Sequence, residues 1–204
     1  MSFDLAAVRA DFPILSERIE GNRLVYLDSG ASAQKPLAVL ERMDHAYRHE
    51  YANVHRGIHT LANRATEAFE AARGKVARFL NASRPEEIVF TRSATEAINL
   101  VASSFVSPRI GAGDEIVLTI MEHHSNIVPW HFLRERQKAL LKWVDVNDDG
   151  SFDLDAFSAA IGPHTQMVAV THMSNVMGTI TPLKEIVSIA HAKGVPVLVD
   201  GSQG

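Results

Sequence analysis

The chain contains no cysteine among its 204 residues. Disulfides, CxxC redox pairs, thiolate metal sites and a thiol nucleophile are therefore excluded from it. Basic residues are not in excess: 20 Lys and Arg stand against 24 Asp and Glu, a formal charge of −4. Nothing in that balance attracts a nucleic-acid backbone. No apolar run approaches the roughly 18 residues that suggest a membrane span. Residues 1–11 carry acids and lack the basic-then-apolar layout of a signal peptide. A soluble cytoplasmic protein is the expectation. GxGxxG, GxxxxGK[ST] and HExxH are all missing, which weakens dinucleotide, P-loop and metal readings.

The composition that remains, 46% hydrophobic and 22% charged, is ordinary for a globular protein and sufficient for one sizeable α/β domain. Strand-like runs at 87–91, 115–120, 141–145, 166–171 and 196–200 alternate with helix-like runs at 95–105, 125–139, 153–161 and 183–193. Most of these strands are apolar throughout, as expected of parallel strands buried on both faces. Gly111-Ala112-Gly113-Asp114 and Asn147-Asp148-Asp149-Gly150 supply turns beside them. Pro129 falls in the first turn of its helix, where a missing N–H costs little.

This alternation predicts an open, mostly parallel sheet covered on both faces. Residues 1–84 differ, offering helices at 4–11, 37–50 and 61–80 and a short strand at 24–27. The chain thus divides into an N-terminal arm, 1–84, and a sheet domain, 85–204. Ligands of open α/β sheets bind just beyond the carboxyl ends of strands. The last residues, 197–204, stop at the lip of such a site, so the front part of a longer, truncated protein is expected.

Four segments at strand ends carry candidate chemistry. In Phe90-Thr91-Arg92-Ser93-Ala94-Thr95-Glu96, small hydroxylated residues lead into a helix. Helix N–H groups there can cradle a phosphate, and the same residues suit plain N-capping. In Met121-Glu122-His123-His124-Ser125-Asn126, a histidine can act as acid, base, metal ligand or flat surface for an aromatic cofactor. In Thr171-His172-Met173-Ser174-Asn175, the Asn amide can donate to a phenolate or simply serve a turn. Asp200 ends an apolar strand, a costly burial unless a positive partner meets it. A protonated pyridine nitrogen is such a partner; a metal or a sugar would also suit.

Taken together with Tyr26-Leu27-Asp28-Ser29-Gly30-Ala31-Ser32-Ala33-Gln34-Lys35-Pro36, Asn53-Val54-His55-Arg56-Gly57-Ile58-His59 and Asp200 with Gln203, these segments resemble the class V aminotransferase-fold enzymes. The similarity runs through essentially the whole chain. It is nearest to the group II (SufS-type) cysteine desulfurases and selenocysteine lyases. The resemblance implies an aminotransferase-like large domain, the pyridoxal-phosphate (PLP) transferase fold type I. It implies PLP as cofactor, with Thr95 on the phosphate, His123 stacked on the ring and serving acid–base chemistry, Asn175 and Gln203 at the phenolic oxygen, and Asp200 on the pyridinium. His55 and Arg56 would lie near a dimer interface and substrate entrance.

The implied reaction removes sulfur from L-cysteine, leaving L-alanine and an enzyme persulfide passed to a sulfur-acceptor protein for iron–sulfur cluster assembly. A homodimer is implied when the protein is full length. The family's Schiff-base lysine, in a Ser-His-Lys motif, and its catalytic cysteine are both absent from this chain. None of Lys35, Lys75, Lys138, Lys142, Lys184 and Lys193 lies in a Ser-His-Lys segment. The 204-residue chain alone is accordingly expected to be inactive. Alternatives are a selenocysteine lyase acting on L-selenocysteine, a cysteine sulfinate desulfinase, another class V lyase, or a non-catalytic binding module. His45 and His49, at i and i+4, are a weak metal candidate, and no metal site is expected.

Overall fold

A computed structural model describes residues 3–204. The chain divides into two compact units, one ending at Phe90 and the other running Thr91–Gly204.

In the first unit, α1 (Leu5–Ala10) starts where the Asp4 carboxylate accepts the Ala6 and Ala7 N–H groups, both at 3.0 Å. Two short antiparallel strands follow, β1 (Arg18–Ile19) and β2 (Asn22–Arg23), turned by Glu20 and Gly21 at positive φ. The helices α2 (Leu37–His45), continued by a π turn at Ala46–Glu50, and α3 (Thr60–Phe79) complete it. Gly57 permits the loop before α3 to close, since a Cβ there would fall 2.2 Å from the Ala62 Cβ.

Two expected strands do not form. Leu24 still gives its N–H to the Glu17 carbonyl at 3.1 Å, but residues 24–27 form no ladder, and Val25 and Leu27 stay exposed. Residues 85–87 form a 3-10 turn, and 88–91 run extended without a ladder. A strand exists only where a neighbour takes its N–H and C=O groups, and no described strand pairs with either segment. Arg73 instead anchors the second: it donates to the Ile88 carbonyl and lies 5.0 and 5.1 Å from the Phe69 and Phe90 rings.

The second unit runs α4 (Ala94–Val101, with a π turn at Ala102–Val106), β3 (Glu115–Thr119), α5 (Val128–Gln137), β4 (Leu140–Val144), α6 (Leu154–Ala160), β5 (Thr165–Thr171), α7 (Leu183–Ala192) and β6 (Val197–Asp200). The four strands form one parallel sheet in the order β4-β3-β5-β6. This is the parallel sheet flanked by helices that the alternation predicts. Pro129 does sit at the start of α5.

Alternation along each strand explains why the sequence read as continuously apolar. Ile116, Leu118, Met167 and Ala169 pack with Ile98, Ala102, Trp130 and Leu133 of α4, its π turn and α5. Val117, Val168 and Val170 pack on the other face with Phe157 and Ile186 of α6 and α7. Successive side chains of a strand point to opposite faces, so a sheet covered twice needs an apolar residue at every position. Each such Val or Leu contributes about 1.5–3 kcal/mol relative to exposure. At the amino ends of the strands Glu115 is closed off by Lys142 Nζ at 3.0 Å and the Thr165 hydroxyl at 3.0 Å. The carboxyl ends carry the candidate chemistry.

Candidate functional site

At the carboxyl end of β6 the Asp200 carboxyl is buried, 5% exposed. Its Oδ1 accepts the Ser202 N–H at 3.1 Å and the Ser202 hydroxyl at 2.6 Å. Both of these bonds run through Oδ1. The first turn after the strand thus orients the carboxylate. Asp200, Gly201 and Ser202 line a cleft of about 380 Å³ whose other wall includes Ala94, Ala97 and Val101 of α4.

The start of α4 is built for capping. Extended Ser93 is the N-cap, and its hydroxyl accepts the Glu96 N–H at 3.2 Å. Glu96 reaches back to the Arg92 N–H at 2.6 Å, and the Arg92 guanidinium adds a salt bridge at 3.1 Å. These Arg92 contacts hold the Glu96 carboxyl below the usual carboxylate range. Thr95 is exposed in the first turn, next to Ala94 in the cleft wall. The first N–H groups of a helix lack intrahelical partners and favour an anion.

His123 is exposed after β3 and caps a 3-10 turn, His124–Asn126. Its Nδ1 accepts the Ser125 N–H at 3.2 Å and lies 2.7 Å from the Ser125 hydroxyl. An acceptor Nδ1 leaves the proton of the neutral ring on Nε2. Asn175 is exposed in the turn after β5, where the Ser174 hydroxyl accepts the Val176 and Met177 N–H groups at 3.3 and 3.2 Å. Gln203 is partly buried in the turn after Asp200. Of the five expected residues, Asp200 lines the cleft and Thr95 borders it; His123, Asn175 and Gln203 lie outside its walls.

Sequence reasoning passed over the buried network beneath His123. Glu122, 7% exposed, accepts the Thr119 hydroxyl at 2.6 Å, the Thr171 N–H at 3.0 Å and the Asn126 amide at 2.7 Å. Burial pushes its carboxyl above the usual carboxylate range, and the Asp200 charge adds to the push; the three hydrogen bonds pull back without cancelling it. The signal was available: like Asp200, Glu122 is an acid at the end of an apolar run.

Among the described residues no group of three or more His, Asp or Glu side chains is placed to hold a metal ion. The His45 and His49 rings lie 4.9 Å apart, tilted at 44°, and His45 pairs with Glu50 at 3.2 Å. No helix among the described residues is long and apolar enough to cross a membrane.

Comparison with known proteins adds sequence and structural relatives. Residues 25–204 match the aminotransferase class-V family. A probable cysteine desulfurase of Synechocystis is 52% identical over 198 residues, covering 97% of this chain and 47% of that protein. A cysteine desulfurase of Cronobacter sakazakii is 52% identical, covering 100% and 50% respectively. The crystal structure of the Escherichia coli cysteine desulfurase CsdA superposes with a TM-score of 0.87 at 40% identity, covering 100% of this chain and 50% of that one. The apo cysteine desulfurase of Thermococcus onnurineus gives a TM-score of 0.89 at 36% identity, covering 98% and 48%. The chain spans about half the length of the curated relatives it matches.

Proposed function

Since the chain belongs to the aminotransferase class-V family, we propose that it is the cofactor-binding half of a PLP-dependent cysteine desulfurase. The observation that carries the reading is the buried Asp200 carboxylate at a strand's carboxyl end, in a cleft shared with the first turn of α4. The carboxylate suits a cationic N–H, and the helix start suits a phosphate. PLP carries both groups on one small ring, so the residues present fit it.

When bound, PLP supplies a sink for the electron pair released at the α-carbon of an amino acid. The chain's own residues hold and polarise it. Asp200 keeps the ring nitrogen protonated, since a buried carboxylate stabilises a cation beside it. Thr95 and the N–H groups at the start of α4 hold the phosphate. His123 would cover the ring face and move protons there, with its Nδ1 held by Ser125. Asn175 and Gln203 hold the phenolic oxygen. Ala97, Ile98 and Leu198 give the cleft apolar walls, which would strengthen these contacts.

The finer parts of the reading rest on the desulfurase relatives and the motif match. They are a group II enzyme, L-cysteine as substrate with L-selenocysteine as the neighbouring possibility, and persulfide transfer to an acceptor for iron–sulfur cluster assembly. They also include a homodimer, and the absence of turnover by this chain without a lysine and a thiol from elsewhere.

Equilibrium titration tests the reading by comparing PLP with pyridoxal, which lacks the phosphate. The expected result is saturable PLP binding, with pyridoxal weaker by at least about tenfold, the worth of a charge-assisted hydrogen bond. Equal binding of the two, or none, would sink the proposal.

A further inference from the structure

Glu122 lies at a junction of three elements that bear candidate site residues. It follows β3, precedes His123, and its Oε1 takes the N–H of Thr171, the last residue of β5. Thr171 pairs in register with Asp200 of β6, whose carbonyl accepts the His172 N–H at 2.8 Å. The chain of contacts from the His123 loop to Asp200 therefore passes through one carboxyl.

The orientation of the network is fixed. Asn126 is fully buried, and its Oδ1 accepts the Trp130 indole N–H at 3.1 Å. Its amide N–H must then face Glu122 Oε2, at 2.7 Å. The Thr171 N–H can only donate, so Oε1 must accept. Every contact demands a group that accepts at both oxygens. No described Lys, Arg or His forms an ion pair with it. An uncompensated acid is costly at a buried site, and a plain loop anchor could be built with a neutral side chain.

We propose that Glu122 is a positioning residue. It clamps the His123-bearing segment to the end of β5, holding the group that covers the cofactor ring in one frame with Asp200, the group that holds the ring nitrogen. The inference rests on the PLP reading above and extends it to a residue that touches neither cofactor nor substrate.

A transposition of the network tests it. Glu122→Gln alone sets an amide N–H against the Asn126 N–H, and Asn126→Asp alone sets two acceptors face to face. The double variant Glu122→Gln/Asn126→Asp restores a donor–acceptor match: the new amide donates to the new carboxylate, which still accepts from Trp130. The readouts are PLP affinity and the induced visible circular dichroism of bound PLP, which reports ring orientation and which a merely structural role would leave unchanged per bound cofactor.

Each single variant is expected to weaken PLP by about tenfold, as for one buried polar group left unmatched, and to reduce the induced signal. The double variant is expected to recover most of both. If Glu122→Gln does not fold, Thr119→Val removes one donor, leaves the carboxyl in place, and should lower the same signal. A wild-type signal that the folded single variants keep in full overturns the inference and leaves the PLP reading standing. A wild-type chain that takes no PLP overturns both.

Discussion

Thr171 and Asp200 stand side by side in register at the ends of two parallel strands, and each takes part in a different polar arrangement. Thr171 gives its N–H to Glu122 at 3.0 Å, while Asp200 holds Ser202 through one oxygen. Two buried acids thus occupy one end of the sheet, and burial raises the pKa of Glu122. Such a pair is characteristic of sites that handle protons.

The Glu122 carboxyl gives a stability prediction with a definite sign. Its pKa in the folded chain is raised from about 4.3 in an unfolded one. Over that interval the folded state binds more protons, so its contribution is complete below about pH 4.3 and is lost as pH rises through the folded pKa. Glu122→Gln does not titrate. The stability of wild type minus that of the variant should fall as pH rises from about 4, then level off. Taking the difference cancels Glu50, Glu96, Glu135 and Asp149, whose pKa values are lowered and act in the opposite sense. Urea unfolding at a series of pH values measures it, and a difference that rises with pH would contradict the assignment.

The doubly covered sheet predicts very unequal costs for one substitution at two positions. Leu118 is fully buried in β3, whereas Leu140 in β4 is 51% exposed. Leu118→Ala should cost about 2–5 kcal/mol in chemical denaturation. Leu140→Ala should stay within about 1 kcal/mol. Similar costs at both would show that β3 is not the central strand described.

In the first unit the close approach at Gly57 leaves no room for a methyl group. Gly57→Ala would drive a Cβ to 2.2 Å from that of the fully buried Ala62, so the loop must lift from α3. The expected cost is about 1–3 kcal/mol. It should appear as faster amide hydrogen exchange in the first turn of α3, and unchanged exchange there would refute the packing.

The sheet was legible because parallel strands leave strong traces: β3, β5 and β6 each follow an apolar run, and turn residues bracket them. Residues 24–27 and 87–91 show the limit of that reading. Their β-branched and aromatic content suggests strands, yet pairing depends on a neighbour that local sequence does not specify. The hairpin formed instead at residues 18–23, where Glu20 and Gly21 adopt positive φ. Asp200 was legible as a buried acid needing a cation. Glu122 carried the same mark and was obscured by the two histidines after it, because its partners Thr119, Asn126 and Thr171 come from different elements. Hydrogen bonds spanning 49 residues, as from Thr171 to Glu122, leave no local pattern.

The most direct test of the central claim is PLP titration of the wild-type chain beside Asp200→Asn. The substitution keeps an acceptor for Ser202 and removes the charge, so folding should be preserved. The account predicts saturable binding by wild type and a loss of at least about tenfold in the variant, as for a charge-assisted hydrogen bond broken in a buried site. Equal affinity in both chains would contradict it, because the cofactor would then be held somewhere other than the end of β6.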